Sequence, residues 1–183
     1  PRRQELLAQI GVKFEVMEAD VDESVADGES PRAYVERLAR AKAEAGWRRV
    51  ERDNLPRAPV LGADTTVALD GRILGKPADS AEAAEMLAAL SGRLHEVLTA
   101  VAVKHDSRLE SAVSVSEVRF KTLTREEIAR YVATGECEDK AGAYGIQGHA
   151  ARFVAELRGS FSGVVGLPLY ETAQLLDLIG SPA

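Results

Sequence analysis

Asp64 interrupts Val60-Leu-Gly-Ala-Asp-Thr-Thr-Val-Ala-Leu69, a run otherwise fit for a buried strand. A carboxylate held away from water is costly unless something compensates it. A metal, a hydrogen-bond network or a catalytic task would each explain it. An Asp at a strand end, satisfied by backbone N–H groups, is the plainer alternative, and Thr65 and Thr66 suit either. Glu23, in Asp20-Val-Asp-Glu23, is the second acidic candidate, whereas Asp20 and Asp22 read as a solvated loop. Two carboxylates converging on one point would suit Mg²⁺ or Mn²⁺, which take oxygen ligands and keep waters and substrate phosphates. Their spacing along the chain does not show that Glu23 and Asp64 converge.

The basic candidates are Arg2, Arg3, Lys42, Lys76 and Lys140. Arginine forks bind phosphate oxygens in pairs, and lysine serves as a point charge. Arg2 and Arg3 open a helix, where free N–H groups also favour an anion. Lys42 borders the apolar stripe of its helix, and Lys76 lies in the rigid turn Gly75-Lys-Pro77. For each of them, surface solubility is the bland reading.

Other chemistries are excluded by spacing. Gly142-Ala-Tyr-Gly-Ile-Gln-Gly148 has neither the glycine spacing of a dinucleotide fingerprint nor the Gly-Lys-Ser/Thr of a Walker loop. Such a loop can still approach a base closely and hydrogen-bond it through Gln147; a flexible turn is the alternative. In Gly159-Ser-Phe-Ser-Gly163, Phe161 stands where a nucleophile elbow needs Ser. His95, His105 and His149 lack zinc-ligand spacing.

A chain of 183 residues with 45% apolar residues fits one domain, residues 1–183. The net charge of −6 argues against a nucleic-acid polymer as partner but allows a small anion held by a few focused bases. Cys137 is the only cysteine, which fits a reducing compartment. No stretch has the length of a membrane helix or the pattern of a signal core, so a cytoplasmic protein without membrane contact is expected. The chain starts at Pro1 without Met, and an N-terminal piece is expected to be missing.

Helices and strands alternate. Arg2 to Ile10 reads as a helix stopped by Gly11, and Val12, Phe14 and Val16 alternate as a strand does. Ser30-Pro31 starts a helix to about Gly46, with Tyr34, Leu38, Ala41 and Ala45 on one stripe. Asp70-Gly71 signals a hairpin between the Asp64 run and Arg72 to Leu74. Asp79-Ser80 opens a helix ending at Gly92, two long strands follow around Val97 to Val115, and Thr124 with Glu127 forms a capping box. Arg152 to Leu157 fits a strand, and a last helix starts near Pro168. The class is α/β, with a mixed twisted sheet and flanking helices.

Taken together, these segments resemble the Maf family, once described as septum formation inhibitors and now treated as nucleoside triphosphate pyrophosphatases. The matching pieces are Pro1-Arg-Arg-Gln-Glu-Leu-Leu7, Gly28-Glu-Ser-Pro31, Leu38-Ala-Arg-Ala-Lys-Ala43, Leu61-Gly-Ala-Asp-Thr65 and Leu74-Gly-Lys-Pro77. Leu90-Ser-Gly92 with His95, Asp139 to Gly148, and Val164-Val-Gly-Leu-Pro-Leu169 continue the series in family order. Family members usually begin with a strand and an Ala-Ser-x-Ser stretch before Pro-Arg-Arg, which is absent here. The resemblance implies two lobes around a central cleft, a homodimer, and a divalent cation (Mg²⁺ or Mn²⁺) held by Asp64 and Glu23. It implies Asp64 as the base for the attacking water, Glu23 and Lys76 in the catalytic centre, and Lys42 on phosphate. Arg2 and Arg3 would clamp the triphosphate, and Arg3, Thr65 and Gln147 match positions associated with substrate choice. Asp139-Lys140-Ala141-Gly142 with Gln147 is similar to the branch acting on dTTP and UTP. A non-catalytic nucleotide-binding regulator of cell division is the alternative that the family's older name implies.

Overall fold

The computed structural model describes residues 1–180. Five strands form one sheet: β1 (Val60–Leu69), β2 (Arg72–Leu74), β3 (Leu94–His105), β4 (Arg108–Phe120) and β5 (Val154–Arg158), in the order β2-β1-β3-β4-β5. Asp70 and Gly71 both have positive φ, 50° and 77°, the conformation that a two-residue hairpin turn demands. The helices are α1 (Arg2–Gln9), α2 (Pro31–Arg52), α3 (Ser80–Leu90), α4 (Arg125–Val132), α5 (Phe161–Val165) and α6 (Leu169–Leu178). Both hydrogen bonds of the Thr124–Glu127 capping box are present at the start of α4. No helix among the described residues is long and apolar enough to cross a membrane.

Alternation along β3 sorts its residues between two cores. Leu98, Ala100 and Ala102 join Ala68 of β1 and face Val35, Ala39 and Ala43 of α2. Val97, Val101 and Val103 face the larger core, where Leu87 and Leu90 of α3, Ile128 and Tyr131 of α4, and Leu175 and Leu176 of α6 pack. The α2 side is built almost entirely of small residues, so helix and sheet approach closely. Gly62 marks the contact: a Cβ there would meet the Ala39 carbonyl and stand 2.5 Å from the Ala43 nitrogen.

Three expectations need correction. Val12, Phe14 and Val16 form no strand, and Phe14 and Val16 are 39% and 64% exposed. Alternation makes a strand only when a neighbour supplies hydrogen bonds and an apolar face; the segment has no strand partner among the described residues, and of the three only Val12 packs on the core. Secondly, α2 does not stop at Gly46 but runs to Arg52, and Tyr34, Ala41 and Ala45 flank its buried stripe rather than form it. Gly46 is a packing residue, since a Cβ there would stand 2.7 Å from Val60 Cγ1. Beyond it, Trp47 and Val50 pack against Val60. Thirdly, the sheet is not mixed: every pairing among the described residues is antiparallel.

His95, on β3, lies in an aromatic cluster with its ring edge-to-face against Phe120 and Tyr144. Its Nε2 shares a 2.8 Å hydrogen bond with the Tyr144 hydroxyl. Burial pulls its pKa down from 6.5 to about 4, so the folded protein holds it neutral. A depressed histidine stabilises the fold fully above its unfolded value, and this is lost as pH falls through the window from 6.5 to about 4. Over that window the wild type should lose thermal stability more steeply than His95→Gln, which keeps a hydrogen-bonding group but cannot titrate. Parallel melting curves for the two proteins would count against the assignment.

Candidate active site

Strand β2 covers only Val67 to Leu69 of β1, and β3 takes the other side. From Val60 to Thr66 the outer edge of β1 has no strand partner among the described residues. A cleft of about 1520 Å³ includes this stretch in its lining. An edge exposes side chains of both faces at once, so neighbours on one strand can serve the same cleft from opposite sides. Asp64 pairs with Ala100 and sits on the α2 face, whereas Thr65 pairs with Thr99 and sits on the other.

Lys42 is the centre of the charged cluster. It projects from α2 between Ala39 and Ala43, the residues that pack on Gly62, which brings its ammonium to Asp64. Lys42 Nζ stands 2.7 Å from Asp64 Oδ1 and 2.6 Å from Glu23 Oε1. Lys76 Nζ approaches Glu23 Oε2 at 3.8 Å. Glu23 lies on a loop fastened to the first turns of α2. Tyr34 donates its hydroxyl to the Glu23 carbonyl at 2.9 Å, and Arg37 donates to the Ser24 carbonyl at 2.9 Å and forks onto Glu29.

Burial shapes the charges. It pushes the Asp64 carboxyl above the ordinary carboxylate range, against the hydrogen bond and charge of Lys42 and the charge of Arg3. The hydrogen bond to Lys42 holds Glu23 below that range. Lys42 is pulled down by burial, yet the Asp64 and Glu23 contacts outweigh this and leave it raised, hence firmly charged. Arg3 is half-buried, and desolvation lowers its pKa while Asp64 and Glu23 resist. Arg3 Nε donates to the Gly166 carbonyl at 2.8 Å, and Arg3 Nη2 reaches Thr65 Oγ1 at 3.4 Å.

Arg2, Lys140 and Gln147 line the same cleft. Gln147 is exposed, whereas Lys140 Nζ donates to the Glu136 carbonyl at 2.6 Å and to Asp139 Oδ1 at 2.7 Å. The Gly-rich segment includes a 3₁₀ turn at Ala141–Ala143 and is anchored by Tyr131, whose hydroxyl accepts from Gly145 N at 3.2 Å. All nine residues singled out in the sequence therefore border one cleft. Among the described residues no group of three or more His, Cys, Asp or Glu side chains is gathered as a metal site. The pair Glu23 and Asp64 still fits a hard cation completed by water and phosphate, because both already converge on the positive charge of Lys42.

Sequence reasoning missed Tyr34, Arg37 and Thr99. The spacing of Tyr34 puts it on an apolar stripe, and nothing local signals that its hydroxyl holds Glu23. Thr99 faces Thr65 only through the β1–β3 register, which the two strands do not announce separately.

A charged, ligand-sized cleft beside an antiparallel sheet with flanking helices defines an α/β protein built to hold a small charged molecule. The chain belongs to the Maf family, whose model, described as Maf-like protein, matches residues 1–179. It is 58% identical to the dTTP/UTP pyrophosphatase of Aromatoleum aromaticum, across 100% of this chain and 93% of the relative. It is 57% identical to the dTTP/UTP pyrophosphatase of Ralstonia nicotianae, covering 96% and 88%. That of Chromobacterium violaceum is 54% identical, covering 98% and 91%.

The helix–sheet contact at Gly62 sets the reach of Lys42. Gly62→Ala should destabilise the protein by about 1–3 kcal/mol through overpacking against backbone that cannot rotate aside. Whatever folds should bind nucleotide more weakly, because α2 and its lysine are displaced. Denaturant titration and equilibrium binding check this, and unchanged values in both would refute it.

Proposed function

We propose that this chain is a metal-dependent nucleoside triphosphate pyrophosphatase that hydrolyses dTTP and UTP to the monophosphate and pyrophosphate. The observation that carries the reading is the Lys42 ammonium held between Asp64 and Glu23, with Arg3 and Lys76 beside them. The shared name of the relatives supports the reaction and its substrates. In this reading residues 1–183 act as one domain, as a homodimer in the cytoplasm.

Asp64 is the proton acceptor for a water attacking the α-phosphorus, and pyrophosphate leaves. Burial raises its basicity, and Lys42 fixes its orientation. General-base action of this kind contributes about 10²–10⁴-fold. Glu23 and Asp64 would hold Mg²⁺ or Mn²⁺, which supplies charge neutralisation and polarises water when bound. Arg2, Arg3, Lys42 and Lys76 neutralise the phosphates, and Lys140 adds positive charge on the wall of the Gly-rich segment. Phosphoryl chemistry asks mainly for positioning and charge stabilisation, which these groups provide. Thr65, Gln147 and Arg3 select the base.

The direct test is product analysis with Mg²⁺ or Mn²⁺ and dTTP or UTP. One pyrophosphate per monophosphate is expected. Release of inorganic phosphate would make the protein a phosphatase, and binding without turnover would leave it a nucleotide-binding regulator. Asp64→Asn should lower turnover by about 10²–10⁴-fold. It should keep the fold, since the Asn carbonyl can still accept from Lys42 and Glu23 still pairs with that ammonium. Near-normal turnover in that variant would remove Asp64 from its role. Gln147→Ala should relax the preference among dTTP, UTP and CTP; a uniform change in rate would contradict its assignment to base choice.

A further inference from the structure

Thr65, Thr99 and Ser114 are register partners on three neighbouring strands, β1, β3 and β4. Their side chains form a polar row on one face of the sheet, and α5 lies over it. Gly163 of α5 sits close to the row, since a Cβ there would stand 3.4 Å from Ser114 Oγ. Thr99 is fully buried in this row. Its Oγ1 donates to the Gly163 carbonyl at 2.7 Å and lies 3.0 Å from Thr65 Oγ1.

A hydroxyl has one proton and two lone pairs, while a carbonyl oxygen only accepts. The single Thr99 proton is therefore committed to Gly163. The 3.0 Å contact between the two threonines can then be a hydrogen bond only if Thr65 donates and Thr99 accepts. This consumes the one proton of Thr65 and turns it inward. Toward the cleft Thr65 presents lone pairs alone. Arg3 Nη2, at 3.4 Å, points a donor at one of them, and the guanidinium charge favours that orientation. Another lone pair remains for a ligand in the cleft that Thr65 lines.

We propose that Thr99 is a positioning residue that fixes Thr65 as an obligate hydrogen-bond acceptor, so that the bound base must offer it an N–H donor at N3. The proposal rests on the pyrophosphatase reading and sharpens its substrate class. The bases in the substrates named for the relatives, thymine and uracil, share an N3–H donor. Cytosine carries a lone pair at N3 instead and would meet Thr65 acceptor to acceptor. A free threonine would rotate its hydroxyl and serve both bases; a threonine tied to Thr99 cannot. Discrimination arises because the mispaired polar groups are left buried and unsatisfied.

The experiment compares kcat/KM for UTP and CTP in the wild type, Thr99→Val, Thr99→Ala and Thr99→Ser. The wild type should prefer UTP. Thr99→Val releases the Thr65 proton, and the UTP:CTP ratio should fall by about tenfold, the worth of one hydrogen bond. Thr99→Ser keeps the donor and acceptor and should hold the ratio within about twofold. If Thr99→Val fails to fold, Thr99→Ala carries the same expectation with less steric demand. A merely structural role for Thr99 would slow both substrates alike, and an unchanged ratio in Val and Ala overturns the proposal. So does a wild type that accepts CTP as readily as UTP, or a Ser variant that behaves like Val. If the wild type releases no pyrophosphate, the enzymatic reading falls by itself. The Thr99 claim is then read from calorimetric Kd values for UMP and CMP, where the same loss of preference is expected and its absence is decisive.

Discussion

The ammonium of Lys42, lying between the carboxylates of Asp64 and Glu23, is the interaction on which the cleft depends. Three successive elements of the chain meet there: a loop, a helix and a strand. Asp64 and Lys42 are largely withdrawn from water and need each other, whereas the Glu23 side chain is half exposed. Asp64 is buried enough that its ionised form is disfavoured, and an unpaired charge so placed would cost about 3–5 kcal/mol. The fold tolerates the cluster because every member answers another, and because small residues on α2 and Gly62 on β1 bring the helix near enough for a lysine to span the gap.

The site uses the edge of a sheet to combine two environments. On the α2 face Asp64 sits among charges suited to a cation and a phosphate chain. On the opposite face Thr65 belongs to a neutral hydroxyl row that runs through Thr99 to the backbone of α5. One residue of strand separates these settings, which is all that β alternation requires. Arg3 joins them, since it contacts Thr65 directly and acts electrostatically on Asp64 and Glu23. Chemistry and selection thus share one strand while drawing on different partners.

Behind the cleft the structure is rigid for ordinary reasons. The His95–Tyr144 pair and the aromatic rings around it tie the Gly-rich segment to the sheet, and Tyr131 holds the backbone at Gly145. Gln147 stands exposed where the buried run from Gly142 to Ile146 ends. A flexible-looking stretch of glycines is therefore a fixed ledge with one free side chain.

Local chemistry in the sequence determined the hairpin at Asp70-Gly71, the helix start at Ser30-Pro31 and the capping box at Thr124, because each depends on residues a few positions apart. It also marked Asp64 as out of place in an apolar strand, and the family resemblance drew Glu23, Lys42 and the arginines toward it. What the sequence could not settle was anything fixed by a distant partner. Val12 to Val16 alternate like a strand yet find no neighbour to pair with. Gly46 looks like a helix stop until Val60 is seen packed on it. The hydroxyl of Tyr34, placed on an apolar stripe, instead secures the loop that carries Glu23. The direction of the Thr65 hydrogen bond follows from a register between β1 and β3 and a carbonyl on α5, contacts that exist only once the sheet has formed. Propensity and capping act within a turn or two of chain. Register, burial and the orientation of a proton are decided by whichever part of the chain the fold brings alongside.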